Sequence, residues 1–257
     1  MKITILDNAT LAKTSLTCIE ELGELTTYEL TSPEQVVAHS QGADVLITNK
    51  VVLNRDTISQ LKTLKLICVS ATGTNNVDLN AAEEFGIAVT NVAGYSTPSV
   101  VQHTFSLVTN LLGNTHRYQR DCQQGAWQKS EMFCRLDYSF NDLQGKTFAI
   151  IGGGTLGKGV ATVAQAFGAN VVVAERKGAS CREGRTPFEE VLKTADIISV
   201  HCPLTDETRD LISLDELKMM KPSSIIINTA RGGIINEADL TTALEQNLIA
   251  GAGVDVL

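Results

Sequence analysis

Thr147-Phe-Ala-Ile-Ile-Gly152-Gly153-Gly154-Thr-Leu-Gly157 is the stretch on which the reading of this chain turns. An apolar, strand-like run leads straight into three consecutive glycines, and a helix-like segment, Val160–Phe167, follows. A Gly-x-Gly-x-x-Gly pattern alone is weak evidence. With a strand before it and a helix after it, it has the context of a dinucleotide-binding loop. Gly152 then permits the tight turn, Gly154 lets the backbone approach a pyrophosphate, and Gly157 lets the helix lie close on the strand. Phosphate oxygens would meet free N–H groups at the positive end of the helix dipole.

Working outward, Glu175 closes the next strand-like run, Asn170–Ala174, eighteen residues past Gly157. A carboxylate there can accept hydrogen bonds from both ribose hydroxyls and would repel a 2′-phosphate. Arg176 and Lys177 follow at once and are expected to soften that preference. Strand-like runs continue at Ile197–His201, Ser224–Asn228 and Gly251–Val256. Upstream, Lys2–Leu6, Ala43–Thr48, Leu64–Val69 and Ile87–Asn91 read as strands, with helices over Ser32–His39, Asn54–Leu61 and Asp78–Phe85. Such alternation predicts an α/β fold of parallel βαβ units with helices on the sheet faces.

A long helix separates the two sets of strands. Thr97 suits its N-cap and Pro98 its first position. Val101, Phe105, Val108 and Leu112 form one apolar stripe, and Gly113 stands where a C-cap glycine belongs. The domain boundary is therefore placed at the start of this helix, giving domains over residues 1–96 and 97–257. Residues 114–145 break the rhythm, with Arg117, Arg120, Gln123, Gln124 and Gln128 around Trp127, the only tryptophan. That segment reads equally as a subunit contact, since interfaces favour Trp and Arg, or as a surface loop with one aromatic anchor.

Composition bounds the function. The 257 residues suffice for two domains, and a net charge of -8 excludes a general basic field for nucleic acid or anionic membrane. Six cysteines occur without a CxxC pair, and no metal site is expected. No apolar run approaches the roughly 20 residues of a membrane span. The start, MKITILDNAT, lacks a leader pattern. These features point to a cytoplasmic protein with reduced thiols.

Two further stretches carry chemistry. Ile227-Asn228-Thr229-Ala230-Arg231-Gly232-Gly233 delivers an arginine to the carboxyl end of an apolar strand, the edge where open α/β sheets bind ligands. The planar guanidinium fork suits the carboxylate and adjacent carbonyl of a 2-oxo acid. Downstream of a dinucleotide fingerprint, that reading outweighs a plain surface arginine. Val69-Ser-Ala-Thr72-Gly73-Thr74-Asn75-Asn76-Val-Asp78 places small polar residues after a buried strand, leaving N–H groups for an anion nest. Lys50, after another strand, adds local charge, although each of these alone is more simply a turn.

The Thr72–Asp78 loop, the Gly152–Gly157 fingerprint, His201-Cys-Pro-Leu-Thr205, Asn228-Thr-Ala-Arg-Gly232 and Gly253-Val-Asp255-Val occur in one order across nearly the whole chain. In this the sequence resembles the D-isomer-specific 2-hydroxyacid dehydrogenases. The stretch Asn91–Thr104 looks most like the family's glycerate dehydrogenase (hydroxypyruvate reductase) branch. The resemblance implies two doubly wound parallel-sheet domains, a flavodoxin-like substrate domain and a Rossmann NAD-binding domain, with reactants in the cleft between them. It implies hydride transfer between NAD(H) and a small 2-oxo or 2-hydroxy acid, with hydroxypyruvate/D-glycerate the favoured pair. Arg231 would be the catalytic, substrate-binding arginine, and Asp255 would contact the nicotinamide amide. Thr155, Leu156, Glu175, Cys202, Pro203, Thr208, Thr229 and Ala230 match positions that line NAD. Val51, Thr72 and Gly73 match the loops that hold the substrate carboxylate. A homodimer built on the NAD-binding domains is also implied, which favours the contact reading of residues 114–145.

The family's proton-donating histidine, and the glutamate that tunes it, are expected after Leu257, with a closing helix for the first domain and a last strand for the second. Of His39, His103, His116 and His201, only His201 ends a strand of the second domain, where the resemblance assigns it to the cofactor wall. Turnover by residues 1–257 alone is therefore expected to be impaired. The alternative is a non-catalytic NAD-binding interaction protein.

Overall fold

A computed structural model describes all 257 residues, which divide into two units, Met1–Tyr95 and Ser96–Leu257. The first unit runs β1 (Lys2–Ile5), α1 (Thr17–Glu20), β2 (Glu24–Thr27), α2 (Val36–Ser40), β3 (Val45–Thr48), α3 (Arg55–Gln60), β4 (Leu66–Val69), α4 (Leu79–Glu84) and β5 (Ala88–Asn91). Its strands lie parallel in the order β2-β1-β3-β4-β5, which is the flavodoxin-like order. Leu46, Ile67 and Val69 form its core with Ile58, Ala81 and Ala82. Two helix starts follow directly from sequence: Asn54 Oδ1 accepts the Thr57 N–H, and Asp78 Oδ1 the Ala81 N–H, each at 2.9 Å. One strand escapes the sequence pattern. β2, Glu24-Leu-Thr-Thr27, pairs only with β1 and buries little, so it shows no apolar alternation.

The second unit runs α5 (Thr97–Gly113), α6 (Thr115–Gln123), β6 (Thr147–Ile151), α7 (Thr155–Ala166), β7 (Asn170–Val173), α8 (Phe188–Thr194), β8 (Ile197–Val200), α9 (Leu214–Met219), β9 (Ile225–Asn228), α10 (Glu237–Glu245) and β10 (Gly251–Val254). Its parallel sheet has the order β10-β9-β8-β6-β7, and a single parallel bridge, Ala174 to Thr186, adds a rudiment of a strand beyond β7. The chain leaves β6 for β7 on one side and later returns to β8 on the other. That reversal opens the crevice in which doubly wound sheets bind ligands.

Both faces of this sheet are covered, which explains its near-continuous apolar strands. Phe148, Ile150, Ile197, Ile225 and Ile227 meet Phe105 and Val108 of α5 and Val160 and Ala164 of α7. Ala149, Ile151, Ile198, Val200 and Ile226 meet Val191 and Leu192 of α8, Leu217 of α9 and Leu240 and Ala243 of α10. The end of α5 corrects the expected glycine cap. Gly113 is still helical, and Asn114 takes the left-handed position at φ 51°. Asparagine is one of the few residues with a side chain that adopts this conformation readily.

Ile198 lies at the centre of the second unit with no exposed surface. Ile198→Ala should lower unfolding stability by about 2–5 kcal/mol, the usual cost of such a cavity. Denaturant titration checks this, and a loss below about 1 kcal/mol would contradict the packing.

Candidate functional site

The loop after β6 shows why its glycines are there. At Gly152, φ is +102°, and a Cβ would lie 2.5 Å from the Cys202 nitrogen and 2.7 Å from the His201 oxygen. The loop thus crosses the end of β8 with no room for a side chain. A Cβ at Gly157 would come 2.1 Å from the Gly152 oxygen and 2.9 Å from Ile150 Cγ2, so this glycine sets how closely α7 lies on β6. Gly154 is different. A Cβ there meets no atom within 4 Å, so the space over it is open, and Gly154 lines a cavity. Gly154 is also the N-cap of α7, and no side chain caps that helix, so its first N–H groups point into the same space. Thr155 and Leu156 form the first turn. These residues fit a dinucleotide pyrophosphate.

A cavity of about 750 Å³ opens from this loop, lined by Gly152–Gly154, Glu175, Arg176, Lys177, Arg182, Arg185, Phe188, His201–Pro203 and Thr208. Glu175, Cys202, Pro203 and Thr208 are thereby brought together with the fingerprint. The carboxylate of Glu175 is almost wholly buried, and the guanidinium of Arg182 grips it with contacts of 2.6 and 2.7 Å. That contact, helped by the Arg176 N–H, holds its pKa down to about 2. Sequence reasoning missed both Arg182 and Arg185. A Cβ built on Gly153 would lie 2.7 Å from Arg185 Nη1, so Arg185 reaches across the fingerprint loop. A run of cations after Glu175 was the available signal, but only the folded loop shows which of them return to the cavity.

His201 is buried, with Nε2 2.8 Å from Ser199 Oγ and Nδ1 without a protein partner. Burial pushes its pKa down to about 4, so the ring is neutral at pH 7. Burial also pushes the Cys202 thiol up, which argues against a nucleophilic role. The Thr208 hydroxyl is spent on its own turn, donating to the Pro203 oxygen and accepting the Thr205 N–H, both at 2.7 Å.

Beyond β9 lies a second, smaller cavity of about 220 Å³, lined by Ser99, Val100, His103, Thr229 and Asp255. Asp255 Oδ1 stands 3.1 Å from His103 Nε2, and Thr229 Oγ1 stands 3.0 Å from Thr104 Oγ1. Asn228 pins the following turn, accepting the Ala230 N–H at 3.0 Å and donating to the Arg231 oxygen at 2.8 Å. Arg231 itself is exposed, lines neither cavity, and rests Nη1 on the Ala230 oxygen at 2.7 Å.

In the first unit, Val51, Thr72 and Gly73 sit on neighbouring loops at the carboxyl ends of β3 and β4. Asn76 Nδ2 donates to the Val51 oxygen at 3.1 Å, and Thr72 Oγ1 donates to the Val92 oxygen at 2.9 Å. A buried acid that sequence reasoning overlooked organises this corner. Asp7, just past β1, accepts the N–H groups of Asn49 at 3.0 Å and Lys50 at 2.6 Å. Its only signal was a carboxylate directly after an apolar strand.

A glycine loop at a sheet's reversal point, an uncapped helix above it and an acid at the end of the next strand define a dinucleotide-binding unit. Comparisons with known proteins specify it further. Residues 105–257 match the family described as "D-isomer specific 2-hydroxyacid dehydrogenase, NAD binding domain". A putative 2-hydroxyacid dehydrogenase of Haemophilus influenzae is 48% identical over 233 residues, 90% of this chain and 74% of that protein. Glycerate dehydrogenase of Methylorubrum extorquens is 42% identical over 231 residues, 90% of this chain and 73% of that one. The solved D-lactate dehydrogenase of Aquifex aeolicus, complexed with NAD and lactic acid, aligns with a TM-score of 0.84 at 27% identity, over 100% of this chain and 77% of that one. The chain belongs to the D-isomer-specific 2-hydroxyacid dehydrogenases, NAD-dependent enzymes. A non-catalytic interaction protein is not favoured, since these relatives are named as dehydrogenases.

His201 supplies a pH test. Its folded pKa of about 4 lies below the ordinary 6.5, so the folded state disfavours the proton. Its contribution is complete above 6.5 and is lost as pH falls toward 4. His201→Gln does not titrate there. The native protein should therefore lose on the order of 3 kcal/mol more stability than the variant between pH 7 and 4. Parallel urea titration curves for the two proteins would refute the neutral, buried assignment.

Proposed function

We propose that this dehydrogenase interconverts hydroxypyruvate and D-glycerate. The observation that carries the proposal is its 42% identity to a glycerate dehydrogenase over 90% of the chain. On this reading residues 1–96 serve the substrate and residues 97–257 the cofactor. Gly152, Gly154, Thr155, Leu156 and Gly157 take the pyrophosphate, Glu175 the adenosine ribose, and Asp255 the nicotinamide amide. Cys202, Pro203, Thr208, Thr229 and Ala230 form the rest of the cofactor wall. NADH, when bound, supplies the hydride that reduces the 2-oxo group.

The chain's own part in the chemistry falls to Arg231, at the carboxyl end of β9. Its fork can bind the substrate carboxylate and stabilise the negative charge that develops on the carbonyl oxygen. Val51, Thr72 and Gly73, on the loops after β3 and β4, are assigned to a substrate carboxylate. Fixed placement of the acid contributes by lowering the entropy cost of reaching the reactive geometry.

A second copy of the chain is the proposed partner, docked against residues 114–145. Trp127, Met132, Phe133, Leu136 and Phe140 leave large apolar surface exposed there, with Phe133 95% accessible. Exposed apolar surface on that scale marks an association site. A cytoplasmic location fits the six free thiols, and no helix is long and apolar enough to cross a membrane.

Three measurements test these assignments. Among hydroxypyruvate, glyoxylate and pyruvate assayed with NADH, hydroxypyruvate should have the highest kcat/KM, and a higher value for another acid would displace it as the substrate. Arg231→Lys keeps the charge but loses the fork, and kcat/KM should fall by about 100-fold with little change in NADH affinity. Activity within a few-fold of native would remove Arg231 from the substrate site. Phe133→Glu should convert dimers to monomers in sedimentation, and an unchanged mass would move the interface elsewhere.

A further inference from the structure

The carboxylate proposed to take the adenosine ribose is already saturated with donors. Glu175 Oε1 accepts the Arg176 N–H at 2.8 Å and Arg182 Nη2 at 2.6 Å. Oε2 accepts Arg182 Nε at 2.7 Å and the Arg182 N–H at 3.2 Å. A carboxylate offers about four lone-pair sites, so ribose hydroxyls, which must donate to it, find each one taken. The two main-chain donors are fixed by their loop, where the Ala179 N–H bonds the Arg176 oxygen and the Arg185 N–H bonds the Arg182 oxygen, both at 3.1 Å. The guanidinium is the part that can leave, because the Arg182 side chain is 63% exposed.

The surroundings are cationic. Arg176, Lys177 and Arg185 line the same cavity. Lys177 is committed elsewhere, to Glu216 at 2.8 Å, and Arg185 lies across Gly153. Arg182 spends Nε and Nη2 on Glu175, which leaves Nη1 for an incoming oxygen. Beside it, Arg176 is exposed.

We infer that Arg182 is a cofactor-selecting latch: closed on Glu175, it cancels the charge that would exclude a 2′-phosphate, so that this chain accepts NADP(H) as well as NAD(H). With NAD(H) the latch opens, and Glu175 receives the two ribose hydroxyls. With NADP(H) the latch stays shut, and the 2′-phosphate lies against Arg182 Nη1 and Arg176. Free Glu175 would repel that phosphate, whereas the Glu175–Arg182 pair is neutral and still has donors to offer. The inference rests on the Gly152–Gly157 and Glu175 assignments proposed above.

Nucleotide affinity tests it without reference to turnover. NADH and NADPH are titrated into the 257-residue protein and into Arg182→Ala and Arg182→Lys, with binding followed calorimetrically. The native protein should bind the two within about fivefold of each other. Arg182→Ala removes a charge-assisted contact and uncovers Glu175, so NADPH should weaken by about tenfold to a hundredfold. NADH should bind equally or more tightly, because its ribose no longer displaces the latch. Arg182→Lys should recover part of the NADPH affinity. If Arg182→Ala weakens both nucleotides alike, Arg182 is a staple of its loop and the latch is wrong. A native preference for NADH above about a hundredfold also overturns it. Failure of the native protein to bind either nucleotide overturns the loop assignment, and the latch falls with it.

Discussion

How closely α7 can approach β6 governs the second unit. With 2.1 Å between a hypothetical Gly157 Cβ and the Gly152 oxygen, any side chain there would push the helix away from the strand. The helix N-terminus would then no longer sit over the sheet's reversal point, and its unpaired N–H groups would face away from the crevice. Gly152 does the same for the neighbouring strand, letting the loop cross the backbone of His201 and Cys202. Two contacts between backbones thus place the donors, the floor and the buried imidazole of one cavity. Once they are set, Val160 and Ala164 of α7 and Phe105 of α5 close over Phe148 and Ile150.

Charge is distributed against the average. The chain carries a formal -8, yet Arg176, Lys177, Arg182 and Arg185 gather at one cavity, facing Glu175 and Glu207. Global charge therefore says little about a small anionic ligand. It affects long-range approach, which salt screens over about 8 Å under physiological conditions. Contact electrostatics are decided by the few groups within reach, and those are predominantly positive. Buried Glu175 shows the same point from the other side. It is tolerated as a charge only because an arginine and two main-chain N–H groups meet it.

Much of this architecture was legible in sequence because it follows from periodicity and from residues with special backbone needs. Nine of the ten strands lie within apolar runs read from the chain, and the glycine spacing located the tight loop between β6 and α7. What escaped has physical reasons. β2 is an edge strand with little burial, so it leaves no hydrophobic signature. The cap of α5 shifted to Asn114 because asparagine can replace glycine in the left-handed region. Asp7, Arg182 and Arg185 are polar residues whose partners are fixed by loops. Asp7 meets Asn49 and Lys50 some forty positions away, a pairing that no local pattern encodes. Arg182 meets Glu175 only seven positions away, but through a loop whose course β7 and the Thr186 bridge determine.

These differences imply a division of labour within the proposed cofactor site. Gly152 and Gly157 are fixed by backbone contacts, where even one added methyl collides with main chain. Such positions cannot be altered without moving α7 or β8, both of which are tied into the core. Residues 176–185 are different: Arg176, Lys177 and Arg182 are exposed, and none belongs to a helix or strand. Exposed loop substitutions usually change stability by less than about 0.5 kcal/mol. Each cation there nevertheless faces the cavity, where one charge-assisted hydrogen bond contributes about 1.5–3 kcal/mol to a bound phosphate. On the proposed reading, substitutions in this loop would change which dinucleotide is preferred while the fold stays intact. The glycine loop cannot, because Gly152 and Gly157, on either side of the open Gly154, hold the loop across β8 and the helix on its strand.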